Sequence, residues 1–329
     1  MRRNALALGV GIATAVVILQ ALLIPLFAAP AANIAPRDLP VAVAGPPQLA
    51  AQLAAAHPGA FAITTVPDAA AADAAIRDRA VYGAVLITSA GPEVHVASAA
   101  GPSVAQLLTQ VAGGLSQQLG QPVPVRDVVP VDPDDPRGTG FGAGFLPLAI
   151  TSLLAGVFVF LLVRRRAARL VALLAFATMS GLAGAGVLFG WLAILPGSYF
   201  AAAGVLALVS LAIAATMTGL AAVLDRGGLA LGAVVVFLAG NALSGIGAAP
   251  ELLPQPWGAV GQWLPIGAGG TLLRSVSYFD GHGAAAAVTV LTAYALGGLL
   301  LILAGRRGLV ARPVRRSEAE VAPELTPVH

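Results

Sequence analysis

Residues 5 to 28 read "ALALGVGIATAVVILQALLIPLFA" and make 24 consecutive residues without a charged side chain. As an α-helix this run is about 36 Å long, which exceeds the roughly 30 Å of a bilayer's hydrocarbon core. The alternative is a cleaved signal peptide, because the small residues "AAPAA" follow at 28 to 32. The apolar part of a signal peptide is normally only about 7 to 15 residues long. We therefore favour an uncleaved transmembrane anchor at residues 1 to 32.

Five further apolar runs follow the first after a long polar interval. With the anchor they predict a polytopic α-helical membrane protein of six transmembrane helices, five of them within residues 137 to 305. The composition, with 58% hydrophobic and only 10% charged residues, agrees with that class. We place the five spans near 143 to 163, 168 to 194, 199 to 223, 228 to 248 and 284 to 305.

The arginines indicate an orientation. The chain has 18 basic residues, and all are arginine because it contains no lysine. With the N-terminus inside, twelve lie in short inner loops and tails and six in longer outer segments, which is the bias of the positive-inside rule. We expect a multi-pass plasma-membrane protein with both termini cytoplasmic. A basic cytoplasmic tail at 306 to 329 is expected to lie against the lipid bilayer.

Residues 33 to 136 have a different sequence pattern, in which apolar runs of strand length alternate with alanine-rich helical stretches. The strand-like runs are "LPVAVAG", "FAITTV", "YGAVLIT", "EVHVASA" and "PVRDVVPV", and the helix-like stretches are 47 to 56, 69 to 80 and 103 to 119. This alternation predicts a small extracytoplasmic α/β domain between the first and second transmembrane helices.

Several function classes are excluded by residues that the chain lacks. Without lysine it cannot form a G-x-x-x-x-G-K-[ST] nucleotide loop or a lysine Schiff base, and without cysteine it has no thiolate nucleophile or cysteine-bound zinc. The four histidines show no ligand spacing, so we expect no enzyme, no metal and no directly bound cofactor. The net charge of +3 comes from arginines beside apolar runs, which argues against a nucleic-acid partner.

A polar segment at 254 to 281 precedes the last apolar run. Apolar residues recur within it at spacings of three and four, which predicts a short amphipathic helix on an outer face. We interpret the segment as a re-entrant or interfacial element that acts as an outer gate, with a connecting loop and surface helix as the alternative. The candidate gate residues are Trp263, Arg274, Tyr278 and Asp280.

Two stretches carry a resemblance to a known family. "VVPVDPDDPRGTGFGAGFLPLAI" at 128 to 150 and "QWLPIGAGGTLLRSVSYFDG" at 262 to 281 are similar to an actinobacterial branch of ABC-2-type transporter permeases, related to phage infection protein-like membrane proteins. The resemblance implies a homo- or heterodimer with a separate ATP-binding subunit, so that ATP enters only through that partner. It also implies export of small molecules, lipids or polysaccharides.

The resemblance does not extend to the cytoplasmic parts that contact the ATPase. Such permeases usually have an amphipathic N-terminal helix and a cytoplasmic coupling helix, whereas this chain offers only "MRRN" and "VRRRAAR" there. This difference favours a second hypothesis, a non-transporting membrane scaffold whose outer domain binds an envelope or secretion partner.

Polar residues within the predicted spans are few. We take four as candidates for a substrate path through the apolar helices: Asn241, Ser244, Thr216 and Thr292. For Asn241 the alternative, an amide that holds two helices together, is the commoner outcome. Gly186 and Gly190 form a G-x-x-x-G pattern, which predicts close helix packing within one chain or across a dimer.

Overall fold

A computed structural model describes residues 2 to 305 of the chain. The basic tail predicted at 306 to 329 lies outside the described residues. The described part begins with helix α1 (Arg2–Ala32), continues through an α/β unit, and ends in a bundle of apolar helices.

The α/β unit contains the strands and helices that the sequence predicts between residues 33 and 136. Its strands are β1 (Leu39–Ala44), β2 (Phe61–Thr65), β3 (Gly83–Thr88), β4 (Gly91–Val96) and β5 (Val125–Asp127), and its helices are α2 (Pro47–Ala56), α3 (Ala69–Arg77) and α4 (Pro102–Leu119). The strands form one sheet in the order β2-β1-β3-β4-β5. β1 runs parallel to β2 and β3, with Val41 opposite Ile63 and Gly83, whereas β3 and β4 form an antiparallel hairpin and β5 is parallel to β4.

Both faces of the central strand β1 are buried, which explains its uninterrupted apolar sequence. Because side chains alternate along a strand, Leu39, Val41 and Val43 pack into the core that contains residues of α2 and α4. Ala42 and Ala44 point the other way and pack against residues of α3. The unit is therefore a layered α/β fold with helices on both sides of the sheet.

Local sequence signals set the ends of its helices. The Asp68 side chain accepts a hydrogen bond of 2.8 Å from the backbone N–H of Ala71 and so caps the start of α3. Pro102 lies in the first turn of α4, where its missing N–H costs nothing, and Gly120 ends that helix in the left-handed conformation.

The remaining helices form the bundle. They are α5 (Thr139–Leu162), α6 (Arg166–Ala185), α7 (Tyr199–Leu224), α8 (Arg226–Gly232), α9 (Gly240–Ala242), α10 (Trp257–Gln262), α11 (Pro265–Tyr278) and α12 (Ala285–Ala304). Within residues 2 to 305, five helices are long and apolar enough to cross a membrane: most of α1, α5, α6 with its π-helical continuation to Trp191, α7 and α12. The chain is therefore a helical protein embedded in a membrane.

The span predicted near 228 to 248 is shorter than expected. The helix that begins at Arg226 passes through a π-helical segment and ends at Ala242, which makes 17 residues. The chain then turns at Gly245, where φ is 65°. The apolar residues that follow do not extend the helix, because Ala248 and Ala249 pack into the core of the α/β unit instead.

Helix α7 lies at the centre of the bundle, in contact with α5, α6, α11 and α12. Small residues allow the backbones to approach closely at its crossings. A Cβ atom at Gly181 of α6 would meet the Ala203 carbonyl oxygen, and Gly219 of α7 faces Gly298 of α12 in the same way. These positions define the tight packing of the bundle.

One end of the bundle is marked by arginine. Arg166 donates a hydrogen bond of 2.7 Å to the Leu303 carbonyl oxygen and another to that of Gly305, and so binds the end of α12. Gly305 in turn packs against Ala222, near the end of α7. Arg226 follows the end of α7 and therefore belongs to the same end of the bundle.

The α/β unit lies at the opposite end and shares its core with the bundle. Leu252, between α9 and α10, is 1% exposed and packs on the side of the sheet covered by α2 and α4. Phe279, just after α11, is 2% exposed and packs on the other side with α3. Residues from the bundle therefore complete both layers of the α/β unit.

Candidate functional site

A cavity of 410 Å³ lies where the α/β unit meets the bundle. Its wall is formed by residues from β1, from the turn before β3, from the segment before α10, from α10 and α11, and from the start of α12. The polar and charged lining residues are Arg79, Tyr82, Glu251, Gln255, Gln262, Thr271 and Arg274. We call this space the junction cavity.

Arg79 connects the two parts of the chain. It lies in the turn after α3, where its φ of 58° places the side chain toward α11. Its guanidinium donates a hydrogen bond of 3.1 Å to the Thr271 carbonyl oxygen and a second to the Ser275 hydroxyl. The same group lies 5.2 Å from the centre of the Phe279 ring, a cation–π distance.

Arg274 lies on α11 and is 6% exposed. One terminal nitrogen, Nη2, donates a hydrogen bond of 3.2 Å to the Ile246 carbonyl oxygen, and the guanidinium lies 4.8 Å from the centre of the Phe141 ring. The sequence predicts Arg274 as a gate residue, and the structure places it in the wall of the junction cavity.

The one acidic residue in the cavity wall, Glu251, accepts a hydrogen bond from a tyrosine. The Tyr82 hydroxyl donates a hydrogen bond of 2.8 Å to a carboxylate oxygen of Glu251. Burial, and then the neighbouring Glu251 carboxylate, raise the pKa of Tyr82 above its ordinary value. Burial lowers the pKa of Arg79, although Tyr82 and Glu251 oppose this effect. Tyr82 therefore remains a neutral hydrogen-bond donor at neutral pH.

Helix α11 lies within the predicted element at 254 to 281, but it is not the surface helix of the alternative interpretation. Eleven of its fourteen residues are buried, including the polar residues Ser275 and Ser277. Leu272 and Leu273 face the bundle core, while the α/β unit covers the polar side through Arg79. A helix that faces water and a helix that lies between two protein layers have the same amphipathic pattern of apolar and polar residues. Helix α11 lies between two protein layers.

The other predicted gate residues lie outside the cavity wall. Trp263 is 71% exposed at the turn between α10 and α11, and Asp280 is exposed at the end of α11 with φ of 50°. The Tyr278 hydroxyl donates a hydrogen bond of 3.3 Å to the Ile194 carbonyl oxygen, which ties the end of α11 to the segment after α6.

The four predicted path residues are dispersed. Asn241 and Ser244 lie together near the end of α9, where the Ser244 hydroxyl donates to the Asn241 carbonyl oxygen at 3.0 Å. Thr216 of α7 donates to the Tyr294 carbonyl oxygen of α12 at 3.1 Å, and Thr292 is half-buried on α12. None of the four lines the junction cavity.

Gly186 and Gly190 lie in the π-helical continuation of α6. In the described chain, a Cβ atom at Gly190 would meet nothing within 4 Å, and one at Gly186 only the Tyr199 hydroxyl at 3.9 Å. Close packing in the bundle occurs at other glycines, including Gly181. Packing of the G-x-x-x-G pair across a dimer stays a prediction.

The acidic turn before α5 has a structural role. Asp135 is 8% exposed and accepts hydrogen bonds of 3.0 Å from the backbone N–H groups of Thr139 and Phe141, so it caps the first turn of α5. Among residues 2 to 305, no group of three or more acidic, histidine or cysteine side chains has the arrangement of a metal site.

The sequence does not single out Arg79, Tyr82 or Glu251. Arg79 and Tyr82 belong to a short connection between a helix and a strand, and Glu251 lies 169 positions after Tyr82. The one available signal was Arg274, a charge in an otherwise apolar neighbourhood, which indicates that some polar partner must lie nearby.

No family model, curated protein or solved structure matches the chain.

Proposed function

We propose that the chain is the permease subunit of an ABC-2-type exporter in the plasma membrane. In this proposal the chain has six spans, the sixth being the 17-residue helix that ends at Ala242, and acts as a homo- or heterodimer with a separate ATPase. It moves an amphipathic or lipid-like substrate outward. The α/β unit lies on the extracytoplasmic side and both termini are cytoplasmic.

The distribution of arginine supports this orientation. Arg166, Arg169 and Arg226 lie at the end of the bundle remote from the α/β unit, next to very short connections. Basic residues in short loops favour the cytoplasmic side. In this proposal the six spans alternate in direction between the two ends, which puts the N-terminus of α1 on the arginine-rich side.

The junction cavity is the observation that carries the proposal. The spans contain no charged residue in their middles, so a polar head group finds few partners within the bundle. At the junction, by contrast, Arg79 and Arg274 lie in a cavity whose wall also includes the exposed residues Ala259 and Ala286. A substrate with one polar and one apolar part fits such a boundary, at the point where it leaves the membrane.

The contacts of Arg79 suggest how the exit is gated. Its hydrogen bonds to Thr271 and Ser275 hold the α/β unit against α11, and these two bonds lie beside the cavity. Rocking of paired protomers, driven by the partner ATPase, opens the cavity when these bonds break and closes it when they form again. The chain itself hydrolyses no ATP in this proposal, because it lacks the lysine of a nucleotide loop.

An efflux assay tests the proposal. Cells that express the chain are loaded with a fluorescent amphiphile, and its loss from the cells is compared between wild type and Arg274→Gln at equal membrane abundance. Arg137→Gln is the matched control, because Arg137 is exposed outside the cavity. We expect slower efflux only for Arg274→Gln. Equal efflux in cells with and without the chain contradicts the proposal.

A second candidate function, a scaffold, is favoured by the short connections on the arginine-rich side. Only residues 163 to 165 join α5 to α6, and Asp225 alone separates α7 from α8. Within the described residues, these connections provide no coupling helix for an ATPase.

The scaffold is tested on the exposed surface of the α/β unit, because deleting the unit would uncover Leu252 and Phe279. Leu119 and Val125 are 53% and 40% exposed. If the scaffold hypothesis is right, the double variant Leu119→Glu, Val125→Glu loses an envelope partner that wild type retains on purification. Retention of every partner by this variant argues against it.

A further inference from the structure

We infer that the junction cavity binds the anionic head group, a phosphate or carboxylate, of a single-chain amphiphile whose hydrocarbon chain leaves between α10 and α12. This inference names the substrate class of the proposed exporter and, for its role in export, rests on that proposal. Binding itself can be measured without transport.

The charge in the cavity is unbalanced. Two guanidinium groups, of Arg79 and Arg274, share the wall with one carboxylate, of Glu251. Among the described residues, neither arginine has a carboxylate oxygen within 4.0 Å, and Glu251 instead accepts the hydrogen bond of Tyr82. Arg274 is buried and buried charges are normally paired, so the excess of positive charge in this wall favours an added anion.

Most N–H donors of Arg274 have no hydrogen-bond acceptor among the described residues. A guanidinium carries five N–H groups, and only Nη2 of Arg274 has an acceptor among the described residues, at Ile246. The side chain is 6% exposed, yet it contributes to the cavity wall, so its remaining N–H groups are accessible from the cavity. A planar fork of this kind matches the two oxygens of a carboxylate or phosphate.

Neutral hydrogen-bond donors and acceptors form the rest of the polar part of the cavity wall. Thr271 donates a hydrogen bond of 2.6 Å to the Gln262 side-chain oxygen, and Gln262 donates to the Ser244 carbonyl oxygen at 3.0 Å. These bonds fix the part of the wall that Arg79 contacts at Thr271, without adding negative charge. The wall therefore presents two guanidinium groups and one carboxylate among neutral residues.

The size and mouth of the cavity indicate an amphiphile. Its 410 Å³ lies within the roughly 300 to 1,000 Å³ of small-molecule sites and exceeds the space that a bare phosphate needs. The exposed wall residues Ala259 and Ala286 form an apolar margin between α10 and α12. A hydrocarbon chain fits this margin, whereas a free inorganic anion makes no use of it.

The test uses the purified full-length chain in an uncharged detergent. Binding of dodecyl phosphate, inorganic phosphate and uncharged 1-dodecylglycerol is measured by calorimetry, with the rise in melting temperature as a second readout. We expect dodecyl phosphate to bind at least about tenfold more tightly than either of the other two. Binding of inorganic phosphate as tightly as dodecyl phosphate overturns the amphiphile assignment.

Variants locate the site. Arg274→Gln and Arg79→Gln are each expected to weaken dodecyl phosphate binding by about tenfold or more, while Arg274→Lys, which keeps the charge, loses less. Arg137→Gln removes an equal charge elsewhere and is expected to bind as wild type does. If all four variants bind equally, the inference is wrong. Arg79→Gln and Arg274→Lys provide the answer if Arg274→Gln does not fold.

The proposed anion binding and the proposed export can each be wrong without the other, and different results show which. If dodecyl phosphate binds as expected but expression of the chain changes no efflux, the anion site stands and the exporter proposal falls. If efflux of amphiphiles depends on the chain but dodecyl phosphate binds no better than 1-dodecylglycerol, the exporter proposal stands and the anionic class is wrong.

Discussion

The Arg79 guanidinium donates a hydrogen bond of 3.1 Å to the Thr271 carbonyl oxygen, across 192 positions of sequence. Arg79 belongs to the α/β unit and Thr271 to α11, so this one bond crosses the boundary between the two parts of the chain. Phe279, which follows α11, is buried against the same unit. The end of the bundle next to the α/β unit and the sheet therefore form one continuous packed structure.

The first prediction concerns this attachment. Arg79→Ala removes two hydrogen bonds and a cation–π contact, and hydrogen bonds to charged groups contribute roughly 1.5 to 3 kcal/mol each. We expect backbone amides from 271 to 279 to exchange with deuterium at least about tenfold faster than in wild type. Arg77→Ala is the control, because Arg77 is largely exposed and makes only a 3.9 Å contact with Asp73. Equal exchange in the two variants would show that Arg79 does not hold α11.

The second prediction concerns helix packing. At Gly298 a Cβ atom would collide with the backbone of Ala215 and Thr216, whereas at Gly190 it would meet nothing within 4 Å of the described chain. Gly298→Val is expected to destabilise the bundle by roughly 1 to 3 kcal/mol, and Gly190→Val by much less. Thermal unfolding in detergent measures both. A larger loss at Gly190 would point to a packing partner from a second protomer.

The third prediction concerns pH. The pKa of Tyr82 is raised in the folded chain, so the folded state keeps a proton that the unfolded state releases above pH of about 10. The stability associated with Tyr82 is therefore present below that pH and is lost as the pH rises above it. Tyr82→Phe should lose less stability than wild type between about pH 10 and 11. Parallel losses in denaturant titrations of the two proteins would contradict the burial of this hydroxyl.

The fourth prediction separates helix packing from a substrate path. The Thr216 hydroxyl is bonded to Tyr294 of α12, so Thr216→Val is expected to lower stability by about 0.6 kcal/mol and to leave efflux unchanged. The Asn241 side-chain amide has no hydrogen-bond partner among residues 2 to 305, and Asn241→Ala is expected to alter efflux more than stability. The reverse pattern would remove Asn241 from the path.

Local patterns were sufficient for the elements of the α/β unit. β1 is apolar on both faces because it is covered on both sides, and Asp68 and Pro102 mark helix starts through their own chemistry. Such signals are read from a few neighbouring residues, so they predict elements well.

The contacts between the α/β unit and the bundle could not be predicted in the same way. Tyr82 and Glu251 meet only in the folded chain, and nothing near either residue indicates the other. The apolar residues after Ala242 look like the end of a span, although they pack against the sheet. The polar side of α11 looks like a surface in water, although Arg79 covers it.

We propose above that the chain works as a permease with a separate ATPase. The most direct measurement is purification of the full-length chain from its native membrane in a gentle detergent, with mass spectrometry of the proteins that accompany it in near-stoichiometric amounts. We expect an ATPase with a lysine-containing nucleotide loop among them. Its reproducible absence, with an envelope protein in its place, would contradict the permease and favour the scaffold.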